Sequence, residues 1–223
     1  MIIAENISRV YDGVFPVRAV DGLSLEVADG EFLCLAGPSG SGKTTLLHLL
    51  GGLERPDSGR IAIDGEEITG YNQRQRARLR LWKIGFIFQE LNLIPVLNAR
   101  ENVEYGLLLQ GVVASERRRR VDEILAELDL AGLAERRPRA LSRGQQQRVA
   151  VARAMVSRPK LVIADEPTAN LDSHNAENLV ELMRRLNRDR GVTIVMATHD
   201  QQIMKRVGRV VSLRDGQITG ETK

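Results

Sequence analysis

The stretch GPSGSGKTT, Gly37 to Thr45, fits the pattern G-x-x-x-x-G-K-[ST] through Gly37, Gly42, Lys43 and Thr44. Residues of these types at this spacing bind phosphate. The glycines let backbone N–H groups curl around anionic oxygens, and the helix that follows turns its positive end toward the same charge. Lys43 can reach the β- and γ-phosphates of a nucleotide, and the Thr44 hydroxyl can hold Mg²⁺. Pro38, Ser39, Gly40, Ser41 and Thr45 complete the nucleotide-binding loop. A mere flexible Gly/Ser turn is the plain alternative. The loop, however, follows the apolar run FLCLAG and leads straight into TTLLHLL, the strand–loop–helix setting that the motif requires.

Three further apolar runs end in residues that could work on the same ligand. IGFIF is followed by Gln89, LVIA by Asp165 and Glu166, and TIVMAT by His199. In open parallel sheets, ligands bind beyond the carboxyl ends of the strands. Two adjacent carboxylates after four apolar residues are costly unless a cationic group receives them, and Mg²⁺-nucleotide is such a group. Asp165 would complete the Mg²⁺ shell with Thr44. Glu166 would polarise a water for in-line attack on the γ-phosphate. Gln89 could touch the metal or that water, and His199 could hold the γ-phosphate or the far side of the water. Positioning and charge neutralisation then supply the catalysis.

The elements that must position these residues follow from hydrophobic spacing. The first third reads as strands: IIAENI, then LSLEV with Leu23, Leu25 and Val27 inward, then EFLCLAG, then IAIDG. Helical spacing marks Asn98 to Gln110, Ser115 to Asp129 and Ser142 to Ser157. Strand LVIAD precedes a helix over Ser173 to Asp189 whose inward stripe is Ala176, Leu179, Val180, Met183 and Leu186. TIVMAT is followed by a short helix, Gln201 to Val207, and Asp215-Gly216 joins RVVSL to QITGE as a hairpin. Apolar strands alternating with helices predict an α/β fold with a mostly parallel sheet covered on both faces. The helical middle is expected to stand apart as an inserted subdomain.

Composition narrows the function. At 223 residues, with 43% hydrophobic and 27% charged residues, the chain suits one globular domain. Its net charge of +3 and its 4% aromatic content argue against nucleic acid, which calls for a concentrated basic face with interleaved aromatics. The single cysteine, Cys34, lies in an apolar strand and reads as a buried thiol in a reducing compartment. No apolar run approaches bilayer length, so the sequence is expected to span no membrane by itself.

The segment ALSRGQQQRVAVARAM opens a helix at Ser142, yet puts Gly144 inside the first turn, where glycine is a poor choice unless the backbone must approach something closely. Taken together, GPSGSGKTT, Phe88-Gln89, LSRGQQQRVAVARA, LVIADEPTANLD and THD, in that order, resemble the ATP-binding-cassette (ABC) ATPases over essentially the whole chain. The wording of LLHLLGGLERPDSG, NLIP, ENV and ADEPTANLD is similar to the lipoprotein-release and macrolide-export subgroup.

The resemblance implies a P-loop NTPase core over 1–89 and 159–223, with an N-terminal antiparallel β part and a helical signature subdomain over 90–158. It implies ATP hydrolysis with Mg²⁺. Tyr11 matches the aromatic that stacks on adenine, with an ordinary strand-end tyrosine as the alternative. Gln89 matches the loop that senses nucleotide and faces a membrane partner, and His199 the switch histidine. Ser142, Arg143, Gly144 and Gln145 match the signature that serves the nucleotide of a second copy, and Asp172 the acidic residue that communicates across the dimer. The family usually has glycine in place of Arg143; a guanidinium there could strengthen γ-phosphate binding or crowd the interface. The protein is thus expected at the cytoplasmic face of the inner or plasma membrane, held by separate permease subunits docked near Gln89–Asn102.

Other features have plainer readings. The basic runs SERRRR, RQRARLR and ERRPR are expected to form solvated helix faces, with anionic lipid headgroups as the other option. Leu91 to Asn102 is apolar yet loop-like, so it either receives a coupling helix or packs the subdomain. His48 and His174 have no partners at metal-ligand spacing. Two other functions compete with transport. One is an ABC ATPase that regulates a membrane complex, as in cell division. The other is a repair or translation ATPase, which the short Gln89–Ser142 interval and the single cassette argue against.

Overall fold

The computed structural model describes residues 2–222. Two sheets organise it. Strands β1 (Ile2–Tyr11) and β2 (Val17–Val27) pair antiparallel. The chain then enters β3 (Phe32–Ala36) and α1 (Lys43–Leu50), and returns through β4 (Ser58–Ile63) and β5 (Glu66–Glu67) to finish a four-stranded sheet of order β2-β1-β4-β5. Helix α2 (Gln73–Lys83) leads into β6 (Ile84–Ile87). Three helices follow, α3 (Ala99–Leu109), α4 (Ala114–Glu127) and α5 (Arg143–Met155), with 3₁₀ turns at Ala131–Leu133 and Pro138–Ala140. The last part alternates: β7 (Leu161–Asp165), α6 (Ser173–Arg190), β8 (Thr193–Thr198), α7 (Gln201–Met204), β9 (Arg209–Arg214) and β10 (Gln217–Thr222). The second sheet has the order β10-β9-β3-β8-β7-β6 and is parallel except for the β9–β10 hairpin.

The period of two along each central strand divides its side chains between two cores. Leu33, Leu35, Leu161, Ile163, Val195 and Ala197 face α1 and the four-stranded sheet. Phe32, Cys34, Val162, Ala164, Ile194 and Met196 face the helices, where they meet buried residues of α3, α4, α5 and α6. The expected stripe on α6 is the buried one: Ala176, Leu179, Val180, Met183 and Leu186.

Some expectations need adjustment. LSLEV is only the second half of β2, because pairing with β1 carries the strand on through Asp21-Gly22 to Val17, with irregular register. The helix expected to reach Val207 ends at Met204, since Arg206 and Val207 donate to carbonyls three residues back, tightening the chain into turns before Gly208. The apolar segment Leu91–Asn102 is not one exposed loop. Leu91, Ala99 and Asn102 are buried and α3 begins at Ala99, leaving Val96, 72% exposed, as its exposed large apolar side chain. In the run SERRRR, Arg117, Arg119 and Arg120 pair locally with Glu104, Glu116 and Glu123. Hydrogen bonds from Arg119 and Arg120 lower the Glu116 carboxyl to about 2. No described helix is long and apolar enough to cross a membrane.

Candidate nucleotide site

The phosphate loop is clamped by both sheets. Gly42 has φ of 99°, and a Cβ at that position would collide with the Ala19 carbonyl of β2. From the other side, the β9–β10 turn donates the Gly216 N–H to the Ser41 carbonyl at 3.1 Å. Lys43, 7% exposed, donates to the carbonyls of Gly37 and Pro38 at 2.8 and 2.9 Å, so its ammonium shapes the loop from inside. Helix α1 begins at Gly42 without a side-chain cap and without an acidic residue in its first turn, whereas α2, α3, α5 and α6 are capped by Asn72, Asn98, Ser142 and Asp172. Its first N–H donors therefore face the loop unquenched. The Ser41 hydroxyl is buried with no hydrogen-bond partner. Buried donors of this kind are costly unless an acceptor meets them, and phosphate oxygens are such acceptors.

A cavity of about 650 Å³ opens over this loop, lined by Pro38 through Thr45, by Val17 and Ala19, and by Gln89, Glu166 and His199. Thus all four strand ends meet at one cavity, and Asp165, the neighbour of Glu166, is one hydrogen bond away: Thr44 Oγ1 donates to Asp165 Oδ1 at 3.2 Å. Burial raises the Asp165 carboxyl, opposed by the Thr44 hydrogen bond. A hydroxyl and a desolvated carboxylate side by side form an all-oxygen set, and no described cluster of three or more His, Cys, Asp or Glu forms a protein-only metal cage. Such a partial set suits Mg²⁺, which takes one or two protein oxygens and completes its shell with phosphates and water.

Glu166 has φ of 45°, a strained conformation for a residue with a Cβ. Its carboxylate is 14% exposed, and both oxygens lie 3.0 and 3.1 Å from Nδ1 of His199, whose side chain is 68% exposed. An ionised carboxylate can only accept, so Nδ1 of His199 is the donor in this contact. Next to each other at the mouth of the cavity stand a partly buried carboxylate and an exposed imidazole.

The remaining residues from the sequence do not line this cavity. The Tyr11 hydroxyl donates to Glu54 Oε2 at 2.7 Å, and the guanidinium of Arg9 sits 5.0 Å from its ring centroid. Asp172 caps α6, accepting from the N–H and the side chain of Asn175, which keeps its carboxyl low. Ser142 caps α5 in a reciprocal box with Gln145. Arg143 is exposed. Nothing within the chain comes closer to a Cβ built at Gly144 than Asn175, at 3.8 Å. Intrachain packing therefore does not demand a glycine there. Sequence reading missed Val17, Ala19 and Glu54. The first two carry no motif and arrive by strand pairing, and Glu54 reads as part of an ordinary turn.

Comparison with known proteins agrees with this geometry. The ABC transporter family matches residues 20–169. An uncharacterized ABC transporter ATP-binding protein of Thermotoga maritima is 46% identical over 216 residues, covering 96% of this chain and 92% of that protein. The macrolide export ATP-binding/permease protein MacB of Syntrophobacter fumaroxidans is 43% identical over all of this chain, which spans 32% of that longer protein. A solved dimeric structure of the ATP-binding cassette MJ0796, in a post-hydrolysis state with ADP and Pi, superposes with a TM-score of 0.92 at 38% identity, covering 100% of this chain and 98% of that one. Family, fold and phosphate cradle point the same way: this chain belongs to the ABC transporters, as an ATP-binding subunit that hydrolyses ATP.

Proposed function

We propose that two copies of this chain close head to tail around two ATP molecules, and that closure drives separate transmembrane subunits of the lipoprotein-release or macrolide-export kind. The observation that carries this reading is the separation within one chain of the Lys43–Asp165–Glu166 cavity from the Ser142–Gly144 turn, whose glycine serves nothing in its own chain. In the dimer each turn faces the partner's γ-phosphate, with Ser142, Arg143, Gly144 and Gln145 supplying donors from the start of α5. Lys43 and the α1 terminus hold the β- and γ-phosphates, Tyr11 carries the adenine, and Thr44, Asp165 and Gln89 hold Mg²⁺. The metal, when bound, neutralises charge on the phosphate oxygens. Glu166 accepts a proton from the attacking water, and His199, oriented by Glu166, steadies the γ-phosphate. Asp172 lies beside the same interface and reports occupancy to the partner. ADP lacks the group gripped from across, so hydrolysis loosens the dimer.

Transmembrane subunits dock beside Gln89. Tyr105, Leu108 and Leu109 share one exposed face of α3, and Gln110 bonds the Leu81 carbonyl at 2.7 Å, which brings exposed Trp82 to the end of that face. A chain so held sits peripherally on the cytoplasmic side of the membrane.

Mixing variants tests the shared site. Glu166→Gln should bind ATP without turnover, and elute as a dimer with ATP and Mg²⁺. Ser142→Arg should remain a monomer. Combined in equal amounts, the two inactive chains should regain up to about one quarter of wild-type turnover, because half of the dimers are mixed and each holds one whole site. No recovery, together with a monomeric Glu166→Gln, would overturn the reading.

A further inference from the structure

The Tyr11 side chain is bound into a network that no motif announces. Its hydroxyl donates to Glu54 Oε2 at 2.7 Å and lies 3.4 Å from Thr45 Oγ1. Because the phenolic proton is committed to the carboxylate, Thr45 is the donor in the second contact. Glu54 Oε1 lies 3.1 Å from His48 Nδ1, and Arg9 Nε lies 3.3 Å from Oε2. Arg9 also covers the Tyr11 ring, 5.0 Å from its centroid, and is fixed in turn by Asp57 at 2.7 Å. The other Asp57 oxygen accepts the Val10 N–H at 2.7 Å.

The ring is therefore held at its hydroxyl and covered on one face by a cation, and an aromatic base would stack on the other. Val17, the ladder partner of Tyr11, lines the nucleotide cavity, so the ring stands at its rim. Burial pushes the Tyr11 hydroxyl up, which keeps it a donor at neutral pH. Burial acts against ionisation of Glu54 as well, but hydrogen bonds from Tyr11 and His48 prevail and hold its carboxyl low. An ionised acceptor and a neutral donor make the stronger class of hydrogen bond.

We infer that Glu54 is a positioning residue for nucleotide selection: it fixes the Tyr11 ring relative to the phosphate loop and so sets where a base must lie when its phosphates are bound. Thr45 and His48 lie on α1, and Glu54 lies just beyond its end, so the base platform is referenced to the same helix that receives the phosphates. A ring that had to be ordered at each binding event would cost affinity that this tether saves. The inference rests on Tyr11 being the base platform, and the test separates the two claims.

Dissociation constants for ATP and for inorganic tripolyphosphate are to be measured by calorimetry on the full chain, as wild type and as Tyr11→Ala, Tyr11→Phe and Glu54→Gln. Tyr11→Phe keeps the ring and removes the tether; Glu54→Gln removes the charged acceptor. Each should weaken ATP about tenfold, the worth of a charge-assisted hydrogen bond, and leave tripolyphosphate unchanged. The double variant should bind ATP no more weakly than either single one, because both break the same bond. If Tyr11→Ala weakens ATP while Tyr11→Phe and Glu54→Gln do not, the ring needs no tether and the inference fails. If Tyr11→Ala is itself without effect on ATP, the base-platform reading fails and takes the inference with it. A loss of tripolyphosphate affinity in Glu54→Gln would mark Glu54 as support for the loop, and would also overturn it.

Discussion

Asp165 holds a carboxylate at a strand end where burial raises its pKa. The folded chain therefore keeps this proton more tightly than the unfolded chain does. Between the two pKa values the folded state binds more protons, so stability falls as pH rises through that window, and the ionised group is a net cost above it. Asp165→Asn should thus raise the melting temperature of the nucleotide-free protein at pH 7, with the gain shrinking as the pH is lowered toward the ordinary carboxylate range. The same variant should lose the additional thermal protection that Mg²⁺ gives on top of ATP. Melting curves across pH, with and without ATP and Mg²⁺, check both outcomes. The strained φ of Glu166 adds a backbone cost at the next residue. Cys34 shows the opposite case. Burial lifts its thiol to about 12, and it packs in the core as a neutral side chain.

Helix α5 meets its neighbours in two ways, and two glycines separate them. Gly85 of β6 lies against the Ala154 backbone near the end of α5, where an added Cβ would collide with the carbonyl. At the start of the same helix Gly144 has room for one within its own chain. Gly85→Ala should destabilise the isolated chain by about 1–3 kcal/mol through overpacking. Gly144→Ala should change its stability by less than about 0.5 kcal/mol, yet remove ATP-dependent dimerisation. Denaturant titration and size exclusion of the two variants side by side make the comparison. A large stability loss in Gly144→Ala would place the need for glycine inside the chain and remove the support for a shared site.

The folded chain presents apolar side chains where its own core has no use for them: Val96, Tyr105, Leu108, Leu109 and Trp82. Their burial against a transmembrane subunit would remove this surface from water. Val96→Asp with Leu109→Asp should leave the melting temperature and ATP affinity of the isolated chain unaltered, and abolish its co-purification with the detergent-solubilised membrane partner. Retained association would move the docking surface elsewhere. The run SERRRR contributes little to such a surface, because ion pairs such as Arg119–Glu116 and Arg117–Glu104 already occupy guanidinium groups in it.

How much of this was legible beforehand depended on sequence distance. The phosphate loop, the strand ends at Gln89, Asp165-Glu166 and His199, the α6 stripe and the Asp215-Gly216 hairpin are local patterns, in which spacing alone dictates backbone conformation and which face is apolar. The order of the strands, the reach of β2 back to Val17 and the shortened α7 are not local. Pairing with β1 carried β2 through Asp21-Gly22 to Val17, and three-residue hydrogen bonds overrode the helical spacing after Met204. In the site, the sequence by itself determined which side chains carry charge, hydroxyl or amide groups, and at which ends of which elements they stand. Only the tertiary structure decided that Thr44 meets Asp165, that Glu166 meets His199, and that Tyr11 is tied to Glu54. Those contacts join residues 33 to 121 positions apart. Local propensity carries no information on such pairs; they form because the two cores share the central strands and bring the strand ends and α1 to one rim.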